Sequence, residues 1–145
     1  MAGEECPRRF QIEVPSDPAF LRMVRTAVDT LCAVAGMDEN GRCMIVLAVD
    51  EACANIIRHS YDGAPDKRII CEGRLEEDAL SFVLRDFGKK VELSRIQPRE
   101  LDEVRPGGLG VHFMRKVMDS VEFEDCGADG TCLTMRKRIS AAREG

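Results

Sequence analysis

Apolar and polar residues follow two different periods in the first part of the chain. Every second residue is apolar over Arg9–Val14, which predicts a first strand. Apolar residues then recur at helical spacing and predict a first helix over about 18–35. A second helix, predicted over about 41–59, is apolar around most of its circumference, so we expect it to be deeply buried.

Strand-like periods dominate the second part of the chain. Arg68–Leu75 and Ala79–Arg85 are joined by three polar residues and predict an antiparallel hairpin. A third helix is predicted over about 109–119, and Val121–Glu124 and Thr131–Ile139 predict a last hairpin. This order predicts an α+β fold: a two-layer α/β sandwich with a mixed, mostly antiparallel sheet and helices on one face.

The segment 86–108 separates the first hairpin from the third helix and shows no strong period. It contains three glycines and two prolines. A loop of this length in a compact domain is usually functional or mobile. We therefore expect it to form part of a site.

Composition and charge narrow the class of protein. With 145 residues, 44% of them hydrophobic and 32% charged, the chain is expected to form a single globular domain over 1–145, with a disordered tail over 140–145. The formal net charge of −5 argues against non-specific binding of nucleic acid. Because no signal peptide or membrane-spanning segment is apparent, we expect a cytoplasmic protein that does not bind a membrane.

The chain has seven cysteines, an odd number, and no C-x-x-C pair. Most of them stand in apolar segments, which favours small buried side chains in a reducing compartment. A metal or redox role is the less favoured alternative. Neither histidine has ligand-like spacing to a cysteine.

Polar residues interrupt the apolar second helix on one face. Glu51, Asn55 and Arg58 stand at i, i+4 and i+7, so they share that face. Such a stripe is also typical of the solvated side of a helix. However, an amide oxygen is a suitable ligand for Mg²⁺, and a carboxylate can accept a proton from a hydroxyl group.

Two further segments combine glycine with groups that suit a nucleotide. Asp86-Phe-Gly88 follows a strand; it is typical of a turn, and it can also place a carboxylate against the amine of adenine. Gly107-Gly108-Leu109-Gly110 precedes a helix, whose free N–H groups and dipole favour phosphate, although a flexible helix start has the same composition. No Walker A motif is present.

Taken in order, these segments resemble a known ATPase superfamily. Asp50–Tyr61, with its spacing Glu-x-x-x-Asn-x-x-x-His-x-Tyr, resembles the N-box of the gyrase, heat-shock-chaperone, histidine-kinase and mismatch-repair ATPases. More narrowly, it resembles the anti-sigma serine kinases of bacterial sporulation and stress switches. Asp86–Gly88 resembles their first glycine box, Gly108–Val111 the second, and Gly130–Thr131 the final glycine-threonine pair.

The resemblance implies roles for individual residues. Glu51 would be the general base for a substrate serine, Asn55 would hold Mg²⁺ beside the ATP phosphates, and Asp86 would bind adenine. The positions implied to contact the nucleotide are Asn55, Arg58, His59, Asp86, Gly88, Gly108, Leu109, Gly110, Val111 and Thr131. A loop over 89–107 would order over the phosphates when ATP binds.

The resemblance also implies cofactors and partners, and the chain departs from the family's pattern at one position. ATP and Mg²⁺ would be used to phosphorylate a STAS-type anti-anti-sigma protein, a sigma factor would be sequestered, and the protein would form a homodimer. Where the family's first box usually has a second glycine, this chain has Lys90, next to Lys89. These lysines are either a solvated pair or phosphate contacts. A nucleotide-binding module that acts only by sequestering a partner is therefore the alternative function.

Overall fold

The computed structural model of the chain describes residues 6–90 and 106–139. These residues form five strands and three α-helices. In chain order the elements are β1 (Arg9–Pro15), α1 (Leu21–Val34), α2 (Glu39–Asn55), β2 (Arg68–Leu75), β3 (Ala79–Asp86), α3 (Pro106–Val117), β4 (Ser120–Asp125) and β5 (Thr131–Arg138).

The strands form one sheet in the order β1-β2-β3-β5-β4. All four neighbouring pairs within the described residues are antiparallel. Both predicted hairpins, β2–β3 and β4–β5, are present, and β5 inserts beside β3. The predicted α+β fold is confirmed.

One face of the sheet packs against the helices to form the core. The largest fully buried side chains include Phe82, Leu84, Ile45 and Met135, from both layers. Along β2 and β3 buried residues alternate with more exposed ones, because successive side chains of a strand point to opposite faces. The other face carries ion pairs of arginine with glutamate, such as Arg68 with Glu13.

The ends of the helices differ from the sequence prediction for local reasons. A 3₁₀ turn over Pro18–Phe20, capped by the side chain of Asp17, precedes α1. The Asp38 side chain accepts a hydrogen bond from the amide of Gly41, so α2 begins two residues earlier than predicted. Beyond Asn55 this helix continues as a π-helical turn over Ile56–Ser60.

The third helix was predicted too late in the chain. It begins at Pro106 and not near residue 109, so Gly107 and Gly108 belong to its first turn and not to the preceding loop. Proline is favoured at the first position of a helix because its missing N–H has no partner there in any case. The rest of the predicted loop, residues 91–105, and the tail over 140–145 lie outside the described residues.

Four of the seven cysteines are buried: Cys32, Cys53, Cys71 and Cys132. Burial raises the pKa of the Cys71 thiol to about 12, so this side chain acts as a small apolar group. Within the described part of the chain, no helix combines the length and apolar character needed to cross a membrane.

Candidate functional site

The polar stripe of the second helix places Glu51, Asn55 and Arg58 close together, with a hydrogen bond between the last two. Glu51 and Asn55 lie one turn apart at the end of α2, and both are half-buried. Nη2 of the exposed Arg58, in the π-helical turn, donates to Oδ1 of Asn55 at 2.9 Å. A carbonyl oxygen has two lone pairs, so Oδ1 can accept this bond and still coordinate a cation.

Gly110 of α3 packs directly against this cluster. A Cβ at this position would lie 2.6 Å from Oε1 of Glu51 and 3.5 Å from Nδ2 of Asn55. A side chain here would therefore occupy the space in front of both polar groups. The structure thus brings together the predicted N-box and the predicted second glycine box, two segments that are far apart in sequence.

The oxygen atoms of Glu51 and Asn55 are suitable ligands for a magnesium ion. The Asn55 amide oxygen and the Glu51 carboxylate are hard ligand atoms one helical turn apart; Nδ2 of Asn55 faces Gly110, and Oδ1 lies where Arg58 donates to it. Mg²⁺ is commonly held by one or two protein oxygens together with phosphates and water.

The π-helical turn shapes the end of the second helix. The amide of Tyr61 donates to the carbonyl of Ile56, five residues back, at 3.1 Å. His59 lies exposed in this turn. Partial burial, together with the positive charges of Arg58 and Lys89, lowers the pKa of its imidazole, which favours the neutral ring. Single π-helical turns of this kind are frequent at functional sites.

Asp86 is a buried carboxylate at the end of β3, with only 4% of its surface exposed. Burial raises its pKa; the amide of Gly88, which donates to Oδ1 at 3.0 Å, acts in the opposite direction, as do the hydroxyl of Ser60 and the charge of Lys90. Thr131 pairs with Asp86 across the neighbouring strand β5.

Gly88 joins the Asp86 turn to the end of the second helix. A Cβ at this position would overlap the backbone carbonyl of Ser60. The amide of Lys89 donates to the same carbonyl at 2.9 Å. Only glycine permits this close approach, so the first glycine box is held against the π-helical turn.

Tyr61 was part of the predicted N-box, but the sequence analysis gave it no role in the site. Its hydroxyl donates to the carbonyl of Arg68 at 2.5 Å and accepts from the amide of Phe87 at 2.7 Å. The side chain of Arg68 also lies over the Phe87 ring, 4.6 Å from its centre. Tyr61 therefore links α2, β2 and the residue next to Asp86.

Lys90, the departure from the family's glycine box, contacts the β4–β5 hairpin. Its ammonium lies 2.9 Å from Oδ1 of Asp125 and donates to the carbonyl of Gly127 at 3.1 Å. Lys89 pairs with Asp62 at 3.1 Å. Both pairs are exposed and contribute little to stability.

The remaining predicted residues lie on α3. Gly108 and Leu109 belong to its first turn, and Val111 is half-buried and packs against the core. The structure thus arranges the predicted residues in two clusters. The first is Glu51, Asn55, Arg58 and Gly110. The second is Asp86, Gly88 and Thr131, and the last turns of the second helix connect the two clusters.

Comparison with known proteins identifies the family to which this chain belongs. Residues 14–137 match the family described as the histidine kinase-like ATPase domain. Because this match spans most of the chain, the protein belongs to that family, as the resemblance predicted.

Curated proteins that are similar to this chain include two serine-protein kinases. The serine-protein kinase RsbW of Bacillus subtilis (strain 168) is 24% identical over 142 residues, which cover 92% of this chain and 88% of the relative. RsbW of Listeria monocytogenes serotype 4b (strain F2365) is 27% identical over 141 residues, with 91% and 88% covered.

A solved structure shares the fold. The crystal structure of the RsbU and RsbW domains of Rv1364c from Mycobacterium tuberculosis matches with a TM-score of 0.65 and 19% identity. The match covers 90% of this chain but spans only 32% of that one. This likeness supports the fold of the present chain.

Proposed function

We propose that the protein is an anti-sigma-type protein-serine kinase that uses Mg-ATP. It phosphorylates a STAS-type anti-anti-sigma protein and sequesters a sigma factor, and it acts as a homodimer in the cytoplasm. The observation that carries the proposal is the contact of Gly110 with Glu51 and Asn55. It combines a general base, a magnesium ligand and a close backbone approach at one place.

In this proposal the phosphate end of the nucleotide lies beside Glu51 and Asn55. The Asn55 oxygen would hold the magnesium ion, which would neutralise charge on the phosphates when bound. The Glu51 carboxylate accepts the proton of the substrate serine hydroxyl as the serine oxygen attacks the terminal phosphorus; the bond from that phosphorus to the bridging oxygen breaks, and ADP leaves. Gly110 brings the backbone of α3 close to these two side chains. The first turn of α3, with Gly108 and Leu109, offers N–H groups to phosphate, and Val111 follows in the next turn.

The adenine end lies at Asp86. The carboxylate accepts a hydrogen bond from the exocyclic amine of adenine, and Gly88 and Thr131 flank it. Arg58, in the first cluster, and His59, in the π-helical turn that connects the two clusters, complete the set of proposed nucleotide contacts. Since Asp86 is buried, an unsatisfied partner there costs about 1–3 kcal/mol, so the site discriminates against bases that lack the amine.

Phosphoryl transfer from radiolabelled ATP to a recombinant STAS-type protein tests the proposal. The wild type should label a serine of that protein in the presence of Mg²⁺. Glu51→Gln should retain ATP binding but lose labelling by about 10²-fold or more, because a general base contributes roughly that factor. Glu122→Gln, which changes an exposed glutamate on β4, is the matched control and should label like the wild type.

Two outcomes would redirect the proposal. Labelling by Glu51→Gln at the wild-type rate would remove Glu51 from the role of base. ATP binding by the wild type without labelling of any STAS-type substrate would favour the alternative function, a nucleotide-binding module that only sequesters its partner.

A further inference from the structure

Cys126 and Cys132 lie next to each other where the β4–β5 hairpin ends. Their sulfur atoms are 3.8 Å apart. Cys132 is buried but is not part of the main cluster of buried side chains, to which the next residue, Leu133, belongs. Because successive strand residues point to opposite faces, the thiol of Cys132 lies on the sheet face away from the helices.

The turn between the two cysteines is short and contains two glycines. It consists of a 3₁₀ turn over Gly127–Asp129, and the amide of Cys126 donates to the carbonyl of Gly130 at 2.8 Å. Gly127 and Gly130 both have positive φ, at 63° and 91°. A disulfide needs the sulfur atoms to approach to about 2.05 Å, so side-chain rotation and small backbone shifts would have to close a distance of about 1.8 Å.

The two thiols differ in their access to solvent. Cys126 is half-exposed and can be reached by a small oxidant. Cys132 is buried, and burial together with a hydrogen bond to Cys126 raises its pKa to about 11. Cys126 is therefore the thiol that meets the oxidant first, and Cys132 is the neighbour that reacts next.

We propose that Cys126 and Cys132 form a redox modification site, which a hydroperoxide converts to an intramolecular disulfide. The Cys126 thiolate attacks a peroxide oxygen, the O–O bond breaks, and a sulfenic acid forms. The sulfur of Cys132 then attacks the sulfur of Cys126. The S–S bond forms, the S–O bond breaks, and the oxygen leaves as water with the Cys132 proton. Overall, two thiols and hydrogen peroxide give a disulfide and two molecules of water.

The disulfide would restrain a turn that contacts the strand carrying Asp86. A Cβ at Gly130 would overlap the carbonyl of Asp86, so the two backbones are in close contact. Nη1 of Arg85 donates to the carbonyl of Asp129 at 2.5 Å. Oxidation therefore acts on a segment that contains Thr131, a residue of the proposed adenine site, and that contacts the strand carrying Asp86.

Peptide mapping after oxidation tests the proposal directly. Trypsin cleaves after Lys116 and Arg136 and at no residue between them, so Cys126 and Cys132 occur together in one peptide that holds no other cysteine. After treatment with hydrogen peroxide this peptide should be lighter by two hydrogen atoms. It should resist iodoacetamide until dithiothreitol is added. The purified full chain is used without nucleotide, so this result is independent of the proposed kinase activity.

Single variants separate the pair from the other thiols. Cys126→Ser, at a half-exposed position, should abolish the mass loss, and Cys132→Ser should leave a sulfenic acid at Cys126 that dimedone traps. Cys43→Ser, at an exposed cysteine of α2, is the control and should leave the disulfide unchanged. Uptake of two alkyl groups by the wild-type peptide after oxidation, or a disulfide between two chains, would overturn the proposal.

Discussion

Replacing Gly110 by alanine tests whether the close contact of α3 with Glu51 serves function and not stability. The new Cβ would lie 2.6 Å from Oε1 of Glu51, whereas ordinary contacts begin near 3.4 Å. The carboxylate must therefore retreat by about 0.8 Å. It is the end of a flexible side chain, so this movement costs the fold little.

The expected effects on stability and on activity have opposite signs. Alanine is favoured over glycine in a helix by up to about 1 kcal/mol, so the free energy of unfolding should be unchanged or slightly higher. A displacement approaching 1 Å at a reacting group costs up to about 10²-fold in rate. We therefore expect phosphoryl transfer by Gly110→Ala to fall by roughly tenfold to a hundredfold.

The assay compares thermal unfolding with serine labelling from Mg-ATP for each variant. Gly41→Ala is the matched control, because its Cβ would also meet flexible side-chain ends, at Met37 and Asp38, near the other end of α2. It should label like the wild type. If Gly110→Ala labels at the wild-type rate, or loses activity only in proportion to lost stability, the reasoning is refuted.

Further predictions concern Tyr61 and Asp86. Tyr61→Phe leaves the amide of Phe87 and the carbonyl of Arg68 without their partner, so unfolding should become easier by about 2 kcal/mol, or about 5 °C in Tm; an unchanged Tm would contradict these bonds. Burial raises the pKa of Tyr61, the only tyrosine, so absorbance at 295 nm should report ionisation above the usual value of 10.0. Since burial also raises the pKa of Asp86, ATP affinity should decline as pH falls from 7 towards about 4, at higher pH than for an ordinary aspartate. Because the folded state holds the Asp86 proton more tightly than the unfolded state does, the contribution of Asp86 to folding stability is lost as pH rises through the raised pKa. Asp86→Asn should therefore bind ATP weakly yet unfold no more easily than the wild type at pH 7. A destabilised variant would contradict the direction of this pKa shift.

The strands and helix centres were predictable from the sequence because apolar spacing reports directly which residues face the core. The π-helical form of the last turn of the second helix, Ile56–Ser60, was not predictable, since it leaves no mark in that spacing. Pro106 and the two glycines after it predict a turn as readily as a helix start, so α3 was placed three residues too late. The position of β5 beside β3 depends on long-range packing, which no local pattern specifies.

Residue type alone indicated candidate site residues such as Glu51, Asn55 and Asp86, whose chemical roles stay predictions. The role of Tyr61 was not predictable, because its hydrogen-bond partners lie 7 and 26 residues away in sequence. The contact of Lys90 with Asp125 was equally hidden. The Tyr61 hydrogen bonds and the Lys90 contact both depend on how the turn after β3 packs against the end of the second helix and the β4–β5 hairpin.

Isothermal titration with ATP, with and without Mg²⁺, tests the central claim that these two clusters form one nucleotide site. The wild type should bind Mg-ATP with a Kd of about 1 μM, roughly −8 kcal/mol. Asn55→Ala should lose the gain in affinity that Mg²⁺ gives, and Asp86→Asn should lose affinity with or without the metal. Asn40→Ala, at an exposed residue of α2, is the control and should bind like the wild type. Absence of ATP binding by the wild type, or unchanged binding by both site variants, would contradict the account.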